Sequence, residues 1–255
     1  MASLEHSHGF VTGSTAGIGA AVASAMEAAG ASVLRHGHPK DATAAGTSDR
    51  ILRADLSAEL PSSARSLVQD VIKQEPRTSL LVCNAGTYID QPFLQMDYET
   101  FENTMQLNVN SQFVIVQEFA RYWVDQGITG RVVLTGSING RLAEPVHVAY
   151  DTSKGAVESL VRSLSVSLAP HGIRVNGMAP GLIHTPLTAP ALTDDADRRW
   201  MELHTPNGKV PGPDSCGGAA VFLLSEAAEH IHGQMLFVDG GMSVWQQPEP
   251  PTNWQ

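Results

Sequence analysis

Tyr150 and Lys154 stand four residues apart, with Ser137 upstream of both. Positions i and i+4 of a helix are neighbours, so the phenol and the ammonium can reach a common site. Oxidising an alcohol needs a base for the hydroxyl proton while hydride departs to an acceptor. A free tyrosine, with a pKa of about 10, is a poor base near neutrality. A nearby ammonium such as Lys154 favours the phenolate and is expected to lower that value. Ser137 follows the apolar run Val132-Val133-Leu134 and could donate a hydrogen bond to the substrate oxygen. Singly each residue is ordinary, because Tyr/Lys pairs decorate many helices and serine often follows a strand. Together, beside the loop described next, they favour catalysis.

That loop is Thr12-Gly13-Ser14-Thr15-Ala16-Gly17-Ile18-Gly19, placed between a short apolar run and a helical stretch. Glycine there permits a tight turn and lets a pyrophosphate approach without meeting a Cβ. The helix N-terminus offers free N–H groups and the positive end of its dipole. A lone glycine triplet is a weak signal; the flanking elements strengthen it. A dinucleotide site and hydride transfer are the expected combination.

These groups must be held by a regular frame. The chain alternates short β-like runs (9–12, 32–35, 51–53, 80–83, 131–135, 174–178 and 235–238) with helical ones (17–29, 63–74, 98–125, 150–169 and 215–224). Such alternation predicts an α/β fold, a single Rossmann-like doubly wound domain with an about seven-stranded parallel sheet and helices on both faces. The expected domain runs over 1–245, followed by an extended tail at 246–255. Within it, residues 182–214 are proline-punctuated and weakly periodic, which predicts a lid over the substrate.

Bulk composition narrows the partners. Lys+Arg 16 against Asp+Glu 26 gives a net charge of −10 over 255 residues, which argues against nucleic acid and anionic membrane surfaces. Cys83 and Cys216 build no disulfide framework and suit a reducing compartment. The start lacks a basic, apolar leader, so a cytoplasmic enzyme acting on a small molecule is expected. The pairs His6/His8, His36/His38 and His230/His232 could begin metal sites, but no third ligand is evident and no metal is predicted.

The string T-G-x-x-x-G-x-G at 12–19 is similar to that of the short-chain dehydrogenase/reductase family. So are Asn84-Ala85-Gly86, Asn108, Ser137, Tyr150-x-x-x-Lys154, Pro180-Gly181 and Asp239-Gly240-Gly241, in the family's order and spacing across 9–241. The resemblance implies an NAD- or NADP-dependent enzyme, usually a dimer or tetramer. It implies that Gly13, Ser14, Thr15, Gly17, Ile18 and Gly19 cradle the pyrophosphate, with Asp55 and Leu56 at the adenine and Asn84, Ala85 and Gly86 along the ribose. Pro180, Gly181, Ile183 and Thr185 would hold the nicotinamide, with Tyr150 and Lys154 beside it. Asn108 would complete the catalytic set by holding, through its side chain or its backbone, a water that links Lys154 to solvent.

Which cofactor is read from the end of the second strand, Arg35-His36-Gly37-His38. An acid there accepts the ribose hydroxyls of NAD, and a basic residue accommodates the 2′-phosphate of NADP. The acid is missing, with Gly37 in its place. His36 and His38 are candidate contacts, and His38 falls where family members using NADP often carry arginine. Ala16 is not the basic residue many of those members have, which tips the balance slightly to NAD.

The residues between Ser137 and Tyr150 should line the substrate pocket: Asn139, Arg141, Glu144 and His147, joined from the lid by Trp200. This is polar for a steroid and suits a sugar, polyol or sugar acid, with Arg141 a candidate anchor for a substrate carboxylate or else merely solvated. Glu144-Pro145 resembles a segment of the family's sugar dehydrogenases. The alternatives are a 3-oxoacyl thioester reductase using NADPH and a catalytically inactive nucleotide-binding regulator. Small residues on the helix at 150–169 (Ala156, Ser159, Ser163, Ser167) and family habit point to a homotetramer or homodimer.

Overall fold

A computed structural model describes residues 2–41 and 50–246. Its seven strands are β1 (His8–Val11), β2 (Ser32–Gly37), β3 (Ile51–Arg53), β4 (Thr78–Cys83), β5 (Arg131–Thr135), β6 (Arg174–Pro180) and β7 (Met235–Val238). They form one all-parallel sheet in the order β3-β2-β1-β4-β5-β6-β7. The order reverses between β1 and β4, and ligands of open α/β sheets bind at that crevice.

Period-two alternation builds the two cores. Phe10, Leu34, Leu81, Val132 and Leu134 point to one face, where they meet Leu67, Val68 and Val71 of α2 (Ser62–Gln74), Phe119 and Trp123 of α4 (Ser111–Gln126), and Val157 and Val161 of α5 (Val148–Leu168). Their neighbours Val11, Val33, Leu80, Val82 and Val133 point to the other, against Val22 and Met26 of α1 (Gly17–Ala28) and Cys216, Ala220 and Leu224 of α7 (Asp214–Leu224). Cys83 is core, and burial pushes its thiol pKa well up. No helix of the described residues is long and apolar enough to cross a membrane.

Two expectations of local structure are corrected. The single helix expected at 98–125 is α3 (Tyr98–Met105), a π turn at Gln106–Asn110, and then α4. The π turn carries Asn108, fully buried, whose side chain must bond outside the helix to be satisfied. The weakly periodic 182–214 segment holds a helix, α6 (Asp195–Leu203). Asp194 caps it by accepting from the Ala196 N–H at 2.7 Å, and Asp195 and Asp197 favour its dipole. The expected tail lies, except for Gln246, outside the described residues.

Candidate active site

The carboxyl ends of β1, β4, β5 and β6 open on a cavity of about 530 Å3. Gly13, Ala16, Gly17, Ile18, Asn84, Ala85, Gly86, Thr87, Gly136, Ser137, Tyr150, Lys154, Pro180, Gly181, Ile183 and Thr185 line it, so the glycine loop and the Ser/Tyr/Lys set share one space. Gly13 sits at φ +60°, and a Cβ there would come within 2.8 Å of the Ala85 backbone. Helix α1 starts at Gly17 with no side-chain cap, which leaves its first-turn N–H groups for an anion. A dinucleotide pyrophosphate fits this cradle: Cβ-free backbone faces a helix N-terminus at the switch point.

Several expected cofactor contacts lie outside the cavity lining. Ser14 is fully buried and its hydroxyl donates to the Val11 carbonyl at 2.7 Å. A Cβ on Gly19 would collide with the Gly13 carbonyl, so Gly19 is there for packing. Buried His36 accepts the Gly13 N–H on Nδ1 (3.1 Å), which leaves Nε2 to donate to the Ala54 carbonyl (3.1 Å). Burial lowers its pKa from 6.5 to about 4, so it is a neutral strut. His38 pairs with Asp55 at 3.2 Å, Leu56 is core, and the Thr15 hydroxyl donates to Asp41 at 2.8 Å. None of these seven lines the cavity. Arg35 turns to α1, bonding Ser24 and Glu27.

Asp41 is a cavity-lining acid that sequence reasoning missed. The turn His38-Pro39-Lys40-Asp41 folds back so that its carboxylate accepts the His38 N–H at 2.9 Å and lines the cavity. A Cβ on Gly37 would lie 2.9 Å from that carboxylate and against Thr15 and Arg53. The acid absent at position 37 is thus delivered from four residues downstream. The Pro39 turn was the available signal.

At the catalytic end, Ser137 and Tyr150 share the cavity, and the Ser137 hydroxyl acts to lower the phenol pKa. Lys154, buried, donates to the Thr135 carbonyl at 3.0 Å, with Nζ 5.5 Å from the Tyr150 ring centre. The expectation that Lys154 lowers the tyrosine pKa is corrected. Burial raises the phenol, the Ser137 bond opposes it, and the Asp151 and Glu144 charges add to the rise. Lys154 is itself lowered to about 8 by burial. Desolvation is the first cause at both groups.

Asn108 is in place but occupied. Its amide donates to the Thr87 carbonyl and the Ser153 hydroxyl, both at 2.9 Å, and its oxygen accepts the Thr87 N–H at 2.8 Å. The side chain therefore pins the loop after β4, and the part of the expectation that remains is the backbone of Asn108.

The expected substrate residues split. Asn139 donates to Asp151 (2.8 Å) and Glu144 (3.2 Å). His147 lies 2.6 Å from Asp90 through Nε2 and 3.3 Å from Glu144 through Nδ1. Tyr88, which sequence reasoning did not single out, stacks edge-on against both His147 (5.0 Å) and Tyr150 (5.7 Å), and its hydroxyl donates to Asp90 at 3.0 Å. Arg141 is paired away from the cavity lining: Glu158 takes its guanidinium at 2.8 and 3.1 Å, and it stacks over Phe237. Trp200 stacks on His204, half-exposed on α6 and away from the cavity lining. Among the described residues no group of three His, Cys, Asp or Glu side chains is arranged to hold a metal ion.

A parallel seven-stranded sheet with a glycine cradle and a Ser/Tyr/Lys set at one mouth defines a nucleotide-dependent oxidoreductase. Residues 13–243 match a family model described as enoyl-(acyl carrier protein) reductase, and the chain belongs to the short-chain dehydrogenase/reductase family. It is 34% identical to glucose 1-dehydrogenase of Gluconobacter oxydans (strain 621H), covering 96% of this chain and 94% of the relative. It is 32% identical to the L-rhamnose 1-dehydrogenase (NAD(P)(+)) of Sphingomonas sp. (strain SKA58), over 96% and 99% of the two chains. Among solved structures, gluconate 5-dehydrogenase from Burkholderia cenocepacia J2315, in complex with NADP and tartrate, superposes with a TM-score of 0.88 at 29% identity, over 96% of this chain and 98% of that one.

Proposed function

We propose that the protein reversibly oxidises a secondary alcohol carbon of a sugar, polyol or sugar acid to a carbonyl. The observation that carries this is the single cavity shared by the glycine cradle and by Ser137, Tyr150 and Lys154. A nicotinamide dinucleotide, when bound, supplies the hydride acceptor. Gly13, Gly17, Ile18 and the α1 N-terminus hold its phosphates, and Asn84, Ala85 and Gly86 border the ribose; Pro180, Gly181, Ile183 and Thr185 border the nicotinamide. Ser137 holds the reacting oxygen beside Tyr150, Tyr150 takes the hydroxyl proton as the phenolate, and Lys154 supplies the positive charge that favours that ionised form.

NAD is the cofactor this reading favours, because the Asp41 carboxylate faces the cavity where a 2′-phosphate would meet like charge. The second reading, NADP, rests on Arg53, whose Nη2 is buried without a partner beside Asp41. The catalytic unit is one domain through residue 245, with 182–214 covering the substrate. The exposed apolar side chains Phe113 and Val124 of α4 and Val166 of α5 suit a homotetramer or homodimer, which light scattering checks; a monomer would remove it. Two free cysteines suit the cytoplasm.

The test is fluorescence titration with NADH and NADPH, followed by a turnover screen of sugars, polyols and sugar acids. Tighter NADH binding and turnover of at least one of these alcohols are expected. Nucleotide binding with no turnover of any alcohol or carbonyl would make the protein a binding module.

A further inference from the structure

The charges around Tyr150 say more about the substrate than its being hydroxylated. On the functional reading above, a sugar alcohol and a sugar acid are both candidates, and they differ by one carboxylate. Recognising that carboxylate takes a free cation, as a rule a forked arginine. Among the described residues lining the cavity the only Lys or Arg is Lys154, which is buried at the catalytic end and held by the Thr135 carbonyl. Arg141, the nearest arginine in sequence to the catalytic set, is taken by Glu158.

The opposite charge is plentiful. Asp90 and Glu144 flank His147, and the Tyr88 and His147 rings both contact the ring of Tyr150. The fields of Glu144 and Asp151 are felt at the Tyr150 phenol itself. His147 is one positive charge at most, set against the three carboxylates Asp90, Glu144 and Asp151, so this wall is negative in either protonation state of the ring. Asp151 is tied to Asn139 and to the Glu144 N–H, whereas Asp90, which accepts from Tyr88, and Glu144, which accepts from Asn139, lie just outside the cavity lining, beyond the Tyr88 and His147 rings. Both are more than half exposed and keep room to accept hydroxyl protons from a substrate that extends past Tyr150. Helix α6, none of whose residues lines the cavity, does not reverse the balance. Asp194, Asp195, Asp197 and Glu202 outnumber Arg198 and Arg199 there, and Arg198 is paired to Asp195.

We propose that Asp90 and Glu144 are specificity-determining residues that select a neutral aldose or polyol and reject an aldonate. Uncharged hydroxyls offer the two carboxylates donors, while an aldonate brings a third negative charge into a space with no free cation to meet it. Among the relatives, this aligns the chain with substrates of the kind named for glucose and rhamnose 1-dehydrogenases and away from the kind named for gluconate 5-dehydrogenase.

The experiment compares kcat/KM for D-glucose, L-rhamnose and a neutral polyol with that for D-gluconate, using whichever nucleotide binds tighter, at low and at high salt. The best neutral substrate should exceed gluconate by at least about tenfold at low salt, a like-charge penalty of the usual size for partly exposed groups. Salt should raise the gluconate rate and leave the neutral one nearly unchanged. Glu144→Gln and Asp90→Asn, singly and together, should shrink the ratio by about threefold or more. A gluconate rate equal to or above the best neutral rate in the unsubstituted protein overturns the proposal and leaves the functional reading intact. Absence of turnover with either class overturns both.

Discussion

The nucleotide cradle and the substrate wall meet at Tyr150, yet they are built in opposite ways. The cradle is mostly backbone: Gly13, Gly17, Gly86 and Gly181 are chosen for what they lack, and β1, β4 and β6 place them through sheet hydrogen bonds. The wall is side chain on side chain. Tyr88, Asp90, Asn139, Glu144, His147 and Asp151 come from the loop after β4, the loop after β5 and the first turn of α5, and hold one another. A backbone site tolerates few changes and binds one ligand shape. A side-chain network can be rewired residue by residue without disturbing the sheet, so substrate choice is free to vary over a fixed cofactor site.

The largest effect should separate chemistry from either region. Tyr150→Phe removes the phenolic oxygen beside Ser137 and keeps the ring that packs on Tyr88 and His147. Turnover should fall by about 10²–10⁴-fold, the usual contribution of a positioned acid/base. Nucleotide affinity should stay within about twofold, since the cradle is untouched. Steady-state rates together with a nicotinamide fluorescence titration read both. Retained turnover would break the assignment, and a collapse of nucleotide binding would show that the two regions are not separable.

The same contrast explains what was legible in the sequence. All seven strands were readable because a buried parallel strand is a short apolar run between turn residues, and the cradle was readable because its glycines must follow one another. Asp41 was not. Its role depends on a proline turn that folds it back against Gly37 and the His38 N–H, which the linear order does not show. Asn108 was named for its position, but its work of pinning Thr87 follows from a π turn that periodicity does not encode. Arg141 lies between Ser137 and Tyr150 in sequence and looked free. Only the packing of its loop against α5 reveals that Glu158, four residues beyond Lys154, claims it.

His36 shows where the backbone region does depend on a side chain. Burial holds the ring neutral, with its pKa lowered from 6.5 to about 4. As pH falls through 6.5 the unfolded chain takes up the proton, while the native ring resists until about 4. Its contribution to stability is therefore constant above pH 6.5 and is lost progressively between 6.5 and 4, to a total of ~3 kcal/mol. His36→Gln has no such titration. Urea midpoints at pH 7 and pH 4.5 should show wild type losing ~2–3 kcal/mol more than the variant across that interval. An equal loss in both would mean that His36 is protonated in the native state, and the loop would then lack the Nδ1 acceptor that fixes Gly13.

The smallest effect tests the wall by what it excludes. If Arg141 were a substrate anchor, Arg141→Ala would raise KM steeply, since truncating a charged hydrogen-bonding partner of a ligand commonly costs 10-fold or more. Its guanidinium is instead half-exposed, bound by Glu158 and laid over Phe237. Removing it should cost stability by no more than ~1 kcal/mol, as for a surface ion pair, and leave KM for a neutral substrate within about twofold. Arg162 already touches the Glu158 carboxylate at 3.3 Å, so that charge is not stranded when Arg141 goes. A tenfold rise in KM would return Arg141 to the substrate. It would also supply the free cation whose absence makes the wall selective against acids, so this weakest perturbation bears on the specificity argument as directly as the substitutions at Asp90 and Glu144.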